Sequence, residues 1–352
     1  MRLTGPAAAG LAQLVLRGGK EITDVVAEMH AAIARAPWVF LGLAEPGGGR
    51  APIAYQIVAG AFSALAAVTS GKPEREAETL EPPGWRRFLA VLNGVLGDHL
   101  AAWENPLAFE MGLRDETGVP WALPGEGRVI VLVHGSCGCE LDWRTPAFAS
   151  WIAERRAAGD AVGYLRYNSG LAIHENGRSL ARLLEPGAAN LVLVAHSMGG
   201  LVVRSAMAQG GPWLARVTHA AYLGAPHQGA PLERVGRLVS SALGISPFSA
   251  PLERAANVRS RGVKDLAFGH VTADGSVAAL PEHVAHLLLA ATLPAPDWVG
   301  DGMVPLASAL AEHDDPLQRL AAPLLQRVRV DGVDHVGMLA DARVTTALRG
   351  WL

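Results

Sequence analysis

Cysteine is scarce in this sequence. Its 352 residues include 2 cysteines, Cys137 and Cys139, which are separated by one residue. This spacing is too short for an ordinary disulfide, and two thiols are too few for a metal site of their own. We therefore expect both thiols to be reduced, and no motif calls for a metal ion or another cofactor.

An excess of charge of either sign is also missing. The formal net charge is -3, and charged residues make up 18% of the chain. Nucleic acid is therefore not an expected partner, and neither is an acidic membrane surface. Hydrophobic residues make up 50%, which allows a sizeable core and excludes global disorder. The length suits one large α/β domain, or such a domain with an added subdomain.

The sequence has no clear signal peptide or membrane span. The apolar run that ends at Leu16 is not followed by a small-residue cleavage site, so we expect a helix there and a cytoplasmic protein. Residues 53–69 are apolar, but they are at the short limit for a span and are rich in Ala and Gly. We predict a buried or amphipathic helix for this segment, and contact with a membrane surface stays an alternative.

The first part of the chain has helical patterns before any strand. Apolar residues recur at helical spacing in residues 22–35, where Pro37 ends the pattern, and again in residues 86–102. We therefore predict a helical N-terminal extension over residues 1–105 that lies on a later α/β body.

From residue 106 onwards, predicted strands alternate with predicted helices. The strands are predicted at residues 108–114, 129–133, 161–167, 191–194, 218–223, 285–291 and 326–330. The helices are predicted at residues 143–156, 178–184, 200–207, 305–312 and 341–352. Alternation with continuously apolar strands predicts an α/β domain over residues 106–352, with a mainly parallel sheet covered by helices. Sheets of this kind carry their functional sites at the carboxyl ends of the strands.

A small-x-Ser-x-Gly motif lies between a predicted strand and a predicted helix. The apolar run 191–194 leads into Ala195-His196-Ser197-Met198-Gly199. A very tight strand-to-helix turn needs small residues beside the serine and exposes the serine hydroxyl. The five-residue pattern also arises by chance in a chain rich in Ala and Gly. Its place between strand and helix nevertheless predicts a nucleophile elbow with Ser197 as the nucleophile.

A nucleophilic serine needs a base within hydrogen-bond reach and a carboxylate that orients the base. In the chain order Ser, Asp, His, the candidates are Asp301 in a Gly-Asp-Gly turn and His335 after the last predicted strand. Asp297 lies outside the glycine-flanked turn, and His313 lies in an acidic stretch that is typical of solvated surface. We therefore predict Asp301 as the acid and His335 as the base.

Acyl transfer also needs backbone N–H donors for the developing oxyanion. The strand 129–133 leads into a His-Gly-Ser run, in which a glycine lets the backbone of Ser136 approach the site. The N–H of Met198 at the predicted helix start supplies a second donor. We predict Ser136 and Met198 as the oxyanion hole, while His134 and His196 are interpreted as structural and Cys137 at most as a pocket residue.

These motifs together resemble the lipase/esterase branch of the α/β-hydrolase superfamily. The Gly-Ala-Pro-His-Gln-Gly run within residues 223–230 is similar to a Gly-Thr/Ser-Pro-His-x-Gly segment of bacterial lipases and of the glycosylphosphatidylinositol-inositol deacylase domain. The resemblance covers residues 106–352 and implies the α/β-hydrolase fold. It also implies the roles predicted above for Ser197, Asp301, His335, Ser136 and Met198. Residues 93–99 resemble the N-terminal part of bacterial hydrolases of unassigned substrate.

Residues 231–282 form a predicted helical cap insertion. The insertion follows the predicted strand 218–223, and insertions at this point of the fold commonly cover the site. Amphipathic helices in the insertion would place apolar side chains above the serine. Whether the cap moves stays open. We therefore predict a serine hydrolase that cleaves small-molecule carboxylic esters with hydrophobic acyl groups through an acyl-enzyme on Ser197. An acyltransferase or thioesterase with the same triad is one alternative. A catalytically silent partner protein of the same fold is another.

Overall fold

The computed structural model describes residues 82–187, 189–231 and 260–352, together with residues 9, 10 and 13. The helices predicted at residues 22–35 and 53–69, and residues 232–259 of the predicted cap insertion, lie outside the described residues. Within the described ranges, every helix is too short or too polar to cross a membrane.

The described residues form one sheet of seven strands. The strands are β1 (Gly112–Arg114), β2 (Arg128–Val133), β3 (Ala161–Arg166), β4 (Asn190–His196), β5 (Val217–Leu223), β6 (Ala285–Thr292) and β7 (Leu325–Asp331). Their order across the sheet is β1-β3-β2-β4-β5-β6-β7. Only the edge strand β1 runs antiparallel to its neighbour, and the pairs from β3 to β7 are parallel. The predicted mainly parallel sheet is confirmed.

Helices cover both faces of this sheet. The helices of the described residues are α1 (Pro83–Ala102), α2 (Pro146–Ala157), α3 (Ile173–Leu184), α4 (Met198–Ala208), α5 (Arg261–Phe268), α6 (Leu306–Ala309) and α7 (Ala342–Trp351). One core places α3 and α4 against β2 residues such as Val131, and the other places α2 and α7 against β2 residues such as Ile130 and Leu132. Successive residues of a strand point to opposite faces, so a strand buried on both sides has to be apolar throughout.

Several predicted helix boundaries differ from the structure, and two of them have clear local reasons. The helix predicted from residue 143 begins at Pro146, because proline suits the first helical position and Thr145 caps it by accepting the N–H of Phe148. The helix predicted at residues 305–312 is the four-residue α6. It ends early because Ala311 takes a left-handed conformation, with φ of 52°. The predicted strand 108–114 is likewise shorter and forms only over β1.

Helix α1, which the sequence places in the N-terminal extension, is joined to the sheet by a buried ion group. Arg86 of α1 donates to the Glu140 carboxylate at 3.1 Å, and Arg166 of β3 donates to the same carboxylate at 3.2 Å. Burial alone would raise the pKa of Glu140, but the hydrogen bonds and the charge of Arg166 outweigh it and lower the pKa to about 2. The carboxylate is therefore ionised inside the domain.

Replacing Glu140 by Gln is expected to lower the free energy of unfolding by about 3 kcal/mol, because breaking a buried ion pair removes the partner of a buried charge. The pKa of Glu140 in the folded protein lies below its reference value of 4.5. The stabilisation by the ionised Glu140 is therefore fully present above pH 4.5 and is lost as the pH falls toward about 2. Urea unfolding of both proteins from neutral to acidic pH measures the difference.

Glu116→Gln is the matched control for this experiment, because the pair that Glu116 forms with Arg156 is exposed. Its loss should change the free energy of unfolding by less than about 1 kcal/mol. A Glu140→Gln effect that is as small as the control, or that does not shrink in acid, would contradict the interpretation.

Candidate active site

Ser197 lies at the turn between β4 and α4 in a backbone conformation that is rare for any residue except glycine. Its φ is 54° and its ψ is −128°. Such a conformation costs about 1–3 kcal/mol and persists only where the surrounding structure determines it. Here the Ser197 N–H donates to the carbonyl of Leu223 at the end of β5, at 2.9 Å. The turn is thus fixed against the neighbouring strand.

The small residues of this turn allow two backbone segments to meet. A Cβ atom at Gly199 would lie 2.5 Å from the carbonyl oxygen of His134, in the loop after β2. A Cβ atom at Gly135 of the same loop would lie 2.9 Å from Cβ of Ser197. The loop after β2 therefore packs directly on the serine, which places the predicted donor Ser136 next to the turn.

The three residues predicted as nucleophile, base and acid form one hydrogen-bonded chain. Ser197 Oγ lies 2.8 Å from His335 Nε2, and His335 Nδ1 lies 2.7 Å from Asp301 Oδ2. All three side chains are buried, with Ser197 only 3% exposed. The chain order Ser, Asp, His therefore converges on one place at the carboxyl ends of the strands.

Asp301 is held as a carboxylate by several donors. Burial would raise its pKa, but the charge and hydrogen bond of His335 and the backbone N–H groups of Val304 and Met303 lower it. These two N–H groups donate to Asp301 Oδ1 at 2.8 and 2.9 Å. One carboxylate oxygen is thus occupied by the backbone, which leaves the other to orient the imidazole.

His196 contacts the backbone of His335 rather than the serine hydroxyl. Its Nε2 donates to the carbonyl oxygen of His335 at 3.0 Å, and the two rings are 4.9 Å apart. Burial, with the nearby His335, lowers the pKa of His196 to about 3, so its ring is neutral. The rejected competitors lie elsewhere, since Asp297 pairs with Arg329 at 3.1 Å and His313 is exposed.

A small apolar chamber adjoins Ser197 and His335. It has a volume of about 10 Å³. Its other walls are Pro226, Ala230, Leu266, Met303 and Val304. Leu266 belongs to α5, so the segment predicted as a cap contributes one wall of this chamber. Sequence reasoning missed these wall residues, because apolar side chains in loops carry no chemical signal of their own.

An open groove of about 490 Å³ lies beside this chamber. Ala230 lines both spaces, and Ala267 and Pro305 in the groove directly follow chamber residues in the chain. Among the described residues, no cluster of three or more His, Cys, Asp or Glu side chains is arranged to hold a metal ion.

Comparison with known proteins agrees with this geometry. The family model of the PGAP1-like alpha/beta domain matches residues 171–243, which include β4, the turn at Ser197, α4 and β5. No curated protein matches the chain.

Several solved structures are similar to this chain. The mature lipase BlEst2 of Bacillus licheniformis shares 18% identity at a TM-score of 0.45, over 68% of this chain and 96% of that chain. The carboxylesterase CesB of Bacillus subtilis shares 14% identity at a TM-score of 0.43, over 76% and 97%. YbtT, a type II thioesterase of the yersiniabactin pathway, shares 20% identity at a TM-score of 0.42, over 65% and 95%.

The sheet order, the strained serine between β4 and α4 and the matched family segment together identify the fold. The chain has the α/β-hydrolase fold. The predicted α/β-hydrolase fold is confirmed, whereas the chemical roles of the site residues are taken up below as a proposal.

Because the backbone at Ser197 is strained, we expect a glycine variant at this position to be more stable than an alanine variant, which is the reverse of the usual order within a helix. Ser197→Gly should be more stable than Ser197→Ala by about 1 kcal/mol, because glycine adopts positive φ freely. At Ser150, an exposed position within α2, Ala should instead be more stable than Gly by about 1 kcal/mol. Urea unfolding of the four variants measures both differences. The same order at both positions would contradict a strained Ser197.

Proposed function

We propose that the protein is a serine hydrolase that cleaves carboxylic esters of hydrophobic acyl groups through an acyl-enzyme on Ser197. The observation that carries this proposal is the hydrogen-bonded chain from Ser197 Oγ through His335 to Asp301. A serine hydroxyl becomes a good nucleophile when a base can take its proton as it attacks.

The proposed reaction begins as His335 Nε2 takes the Ser197 proton and Oγ attacks the ester carbonyl carbon. The negative charge on the carbonyl oxygen is stabilised by the N–H groups of Ser136 and Met198. Asp301 keeps His335 Nδ1–H oriented and stabilises the imidazolium. The protonated His335 then donates to the alkoxide that leaves as an alcohol, and the acyl group stays on Ser197.

The second half of the reaction reuses the same groups. A water molecule gives a proton to His335 Nε2 and attacks the acyl carbon. The tetrahedral intermediate collapses, Ser197 recovers its proton from His335, and the carboxylic acid is released. An alcohol or thiol acceptor in place of water would make the same site an acyltransferase, which is why acceptor transfer has to be measured.

The apolar chamber supports a hydrophobic acyl group as the substrate. Burying apolar surface contributes about 25 cal/mol per Å², and the chamber walls beside Ser197 are apolar. The chamber itself is too small for an alkyl chain, so we propose that the chain extends past Ala230 into the groove of about 490 Å³. This space lies within the range of ordinary small-molecule pockets.

Substitution of the triad should abolish turnover without unfolding the protein. On a panel of p-nitrophenyl esters of graded chain length, we expect Ser197→Ala to lower kcat/KM by about 10⁴-fold or more, and Asp301→Asn by about 10⁴-fold. Asp297→Asn is the matched control and should keep wild-type activity, because its side chain pairs with Arg329 outside the site.

Labelling with a fluorophosphonate complements these rates. Wild type should carry one adduct on Ser197, and Ser197→Ala none. Folded wild type without an adduct would contradict the proposal and favour the silent partner protein. Transfer of the acyl group to an added alcohol in preference to water would favour the acyltransferase.

A larger side chain at Ala230 should change the acyl preference. Ala230→Leu is expected to lower kcat/KM for long-chain esters at least tenfold relative to acetyl esters, because Ala230 lines both spaces. Ala149→Leu on the exposed face of α2 is the size-matched control and should leave the preference unchanged. An equal loss at every chain length would show that the acyl chain takes another route.

A further inference from the structure

The loop after β2 contains a second strained residue, which the proposed mechanism does not use. Cys137, next to the proposed oxyanion donor Ser136, has φ of 58° although it is not a glycine. A left-handed conformation of this kind costs about 1–2 kcal/mol and needs support from the surrounding structure. Cys137 lies within a turn that is closed by a hydrogen bond from the Gly138 N–H to the Gly135 carbonyl oxygen at 3.2 Å.

One support is a buried serine in the loop after β3. The N–H of Cys137 donates to Ser169 Oγ at 3.0 Å. Ser169 is 1% exposed, so this bond is shielded from water. Without the Ser169 hydroxyl, the buried N–H of Cys137 would lose this hydrogen-bond acceptor. Because an unsatisfied buried donor costs free energy, the loop would be expected to move to find another partner.

The other support is the backbone of helix α1. A Cβ atom at Gly94 would collide with Cys137 Sγ and would lie 3.0 Å from the Cys137 backbone nitrogen. One turn further along, a Cβ atom at Gly97 would overlap the side chain of Asn168, whose Nδ2 donates to the Gly97 carbonyl at 2.8 Å. The two glycines thus form one helix face that rests on both loops.

Helix α1 is itself held on both sides of this contact. Arg87 near its start pairs with Asp142 at 2.7 Å, and the other oxygen of Asp142 accepts the N–H of Cys139 at 3.0 Å. The carbonyl of Gly94 accepts Ser260 Oγ at 2.8 Å, just before α5. The loop after β2 is therefore enclosed by α1 on one side and by Ser197 on the other. On the Ser197 side, the packing leaves no room for a side chain at position 135.

From this packing we infer that α1 and Ser169 hold the loop after β2 so that the Ser136 N–H meets the oxyanion. Gly94 and Ser169 are positioning residues that act through Cys137, and the helix that precedes the α/β domain supports the proposed oxyanion hole from outside the site. This inference rests on the proposed function. A displacement of Cys137 by a fraction of an ångström would misalign a donor that acts only in the transition state.

The test compares Gly94→Ala and Ser169→Ala with two matched controls. Gly350→Ala places the same methyl group in α7, where it meets nothing within 4 Å. Ser205→Ala removes a fully buried hydroxyl that has no hydrogen-bond partner in the described part of the chain. Each protein is assayed for thermal unfolding, for kcat and KM on one p-nitrophenyl ester, and for affinity toward an alkylboronic acid, which mimics the tetrahedral intermediate.

We expect both variants to lower kcat by about 10- to 100-fold with KM within about twofold, since loss of one oxyanion donor costs 10²–10³ in kcat. Boronic acid affinity should fall by a similar factor, and both controls should match wild type. Folded variants that keep wild-type kcat, or that lose activity only through KM, would overturn the inference.

Failure of the proposed function gives a different pattern. Wild type would then neither turn over esters nor bind the boronic acid, which overturns both proposals. Active wild type with equally active variants overturns only the positioning role. If Gly94→Ala does not fold, the comparison of Ser169→Ala with Ser205→Ala decides the question alone.

Discussion

The left-handed backbone at Ser197 is the constraint on which the rest of the site depends. It lifts the serine out of the end of β4, and it is maintained because the Ser197 N–H bonds to Leu223 while Gly135 and Gly199 allow the loop after β2 to pack against the turn. The cost of this conformation is balanced by the packed strands around it. The close approach of the loop after β2 at Gly135 and Gly199 brings the side chains of the proposed mechanism together around this turn.

Burial gives this site its electrostatic character. His335, Asp301 and His196 are all removed from water, where an uncompensated charge would be costly. The charge of Asp301 is compensated by three N–H donors, from Met303, Val304 and His335. His196 is neutral and donates a hydrogen bond to the His335 carbonyl oxygen. His335 is therefore held by hydrogen bonds both to its imidazole ring and to its backbone carbonyl. Such preorganisation is what proton transfer from a serine requires.

Much of this arrangement could be predicted from the sequence, because it depends on local patterns. Apolar runs predicted the strands, and the small residues around Ser197 and the Gly-Asp-Gly turn at Asp301 predicted two of the loops that meet at the site. The contact of Gly94 with Cys137 could not be predicted, because glycine in a helix signals close packing without naming the distant partner. Helix ends such as the one before Ala311 also depended on single backbone conformations that no periodic pattern shows.

Mass spectrometry of protein quenched in acid during turnover of a p-nitrophenyl ester shows whether an acyl-enzyme forms on Ser197. We expect a mass increase equal to one acyl group, located on the peptide that contains Ser197 and absent from Ser197→Ala. Turnover by wild type without that increase, or an acyl group located on a different residue, would contradict the proposed acyl-enzyme.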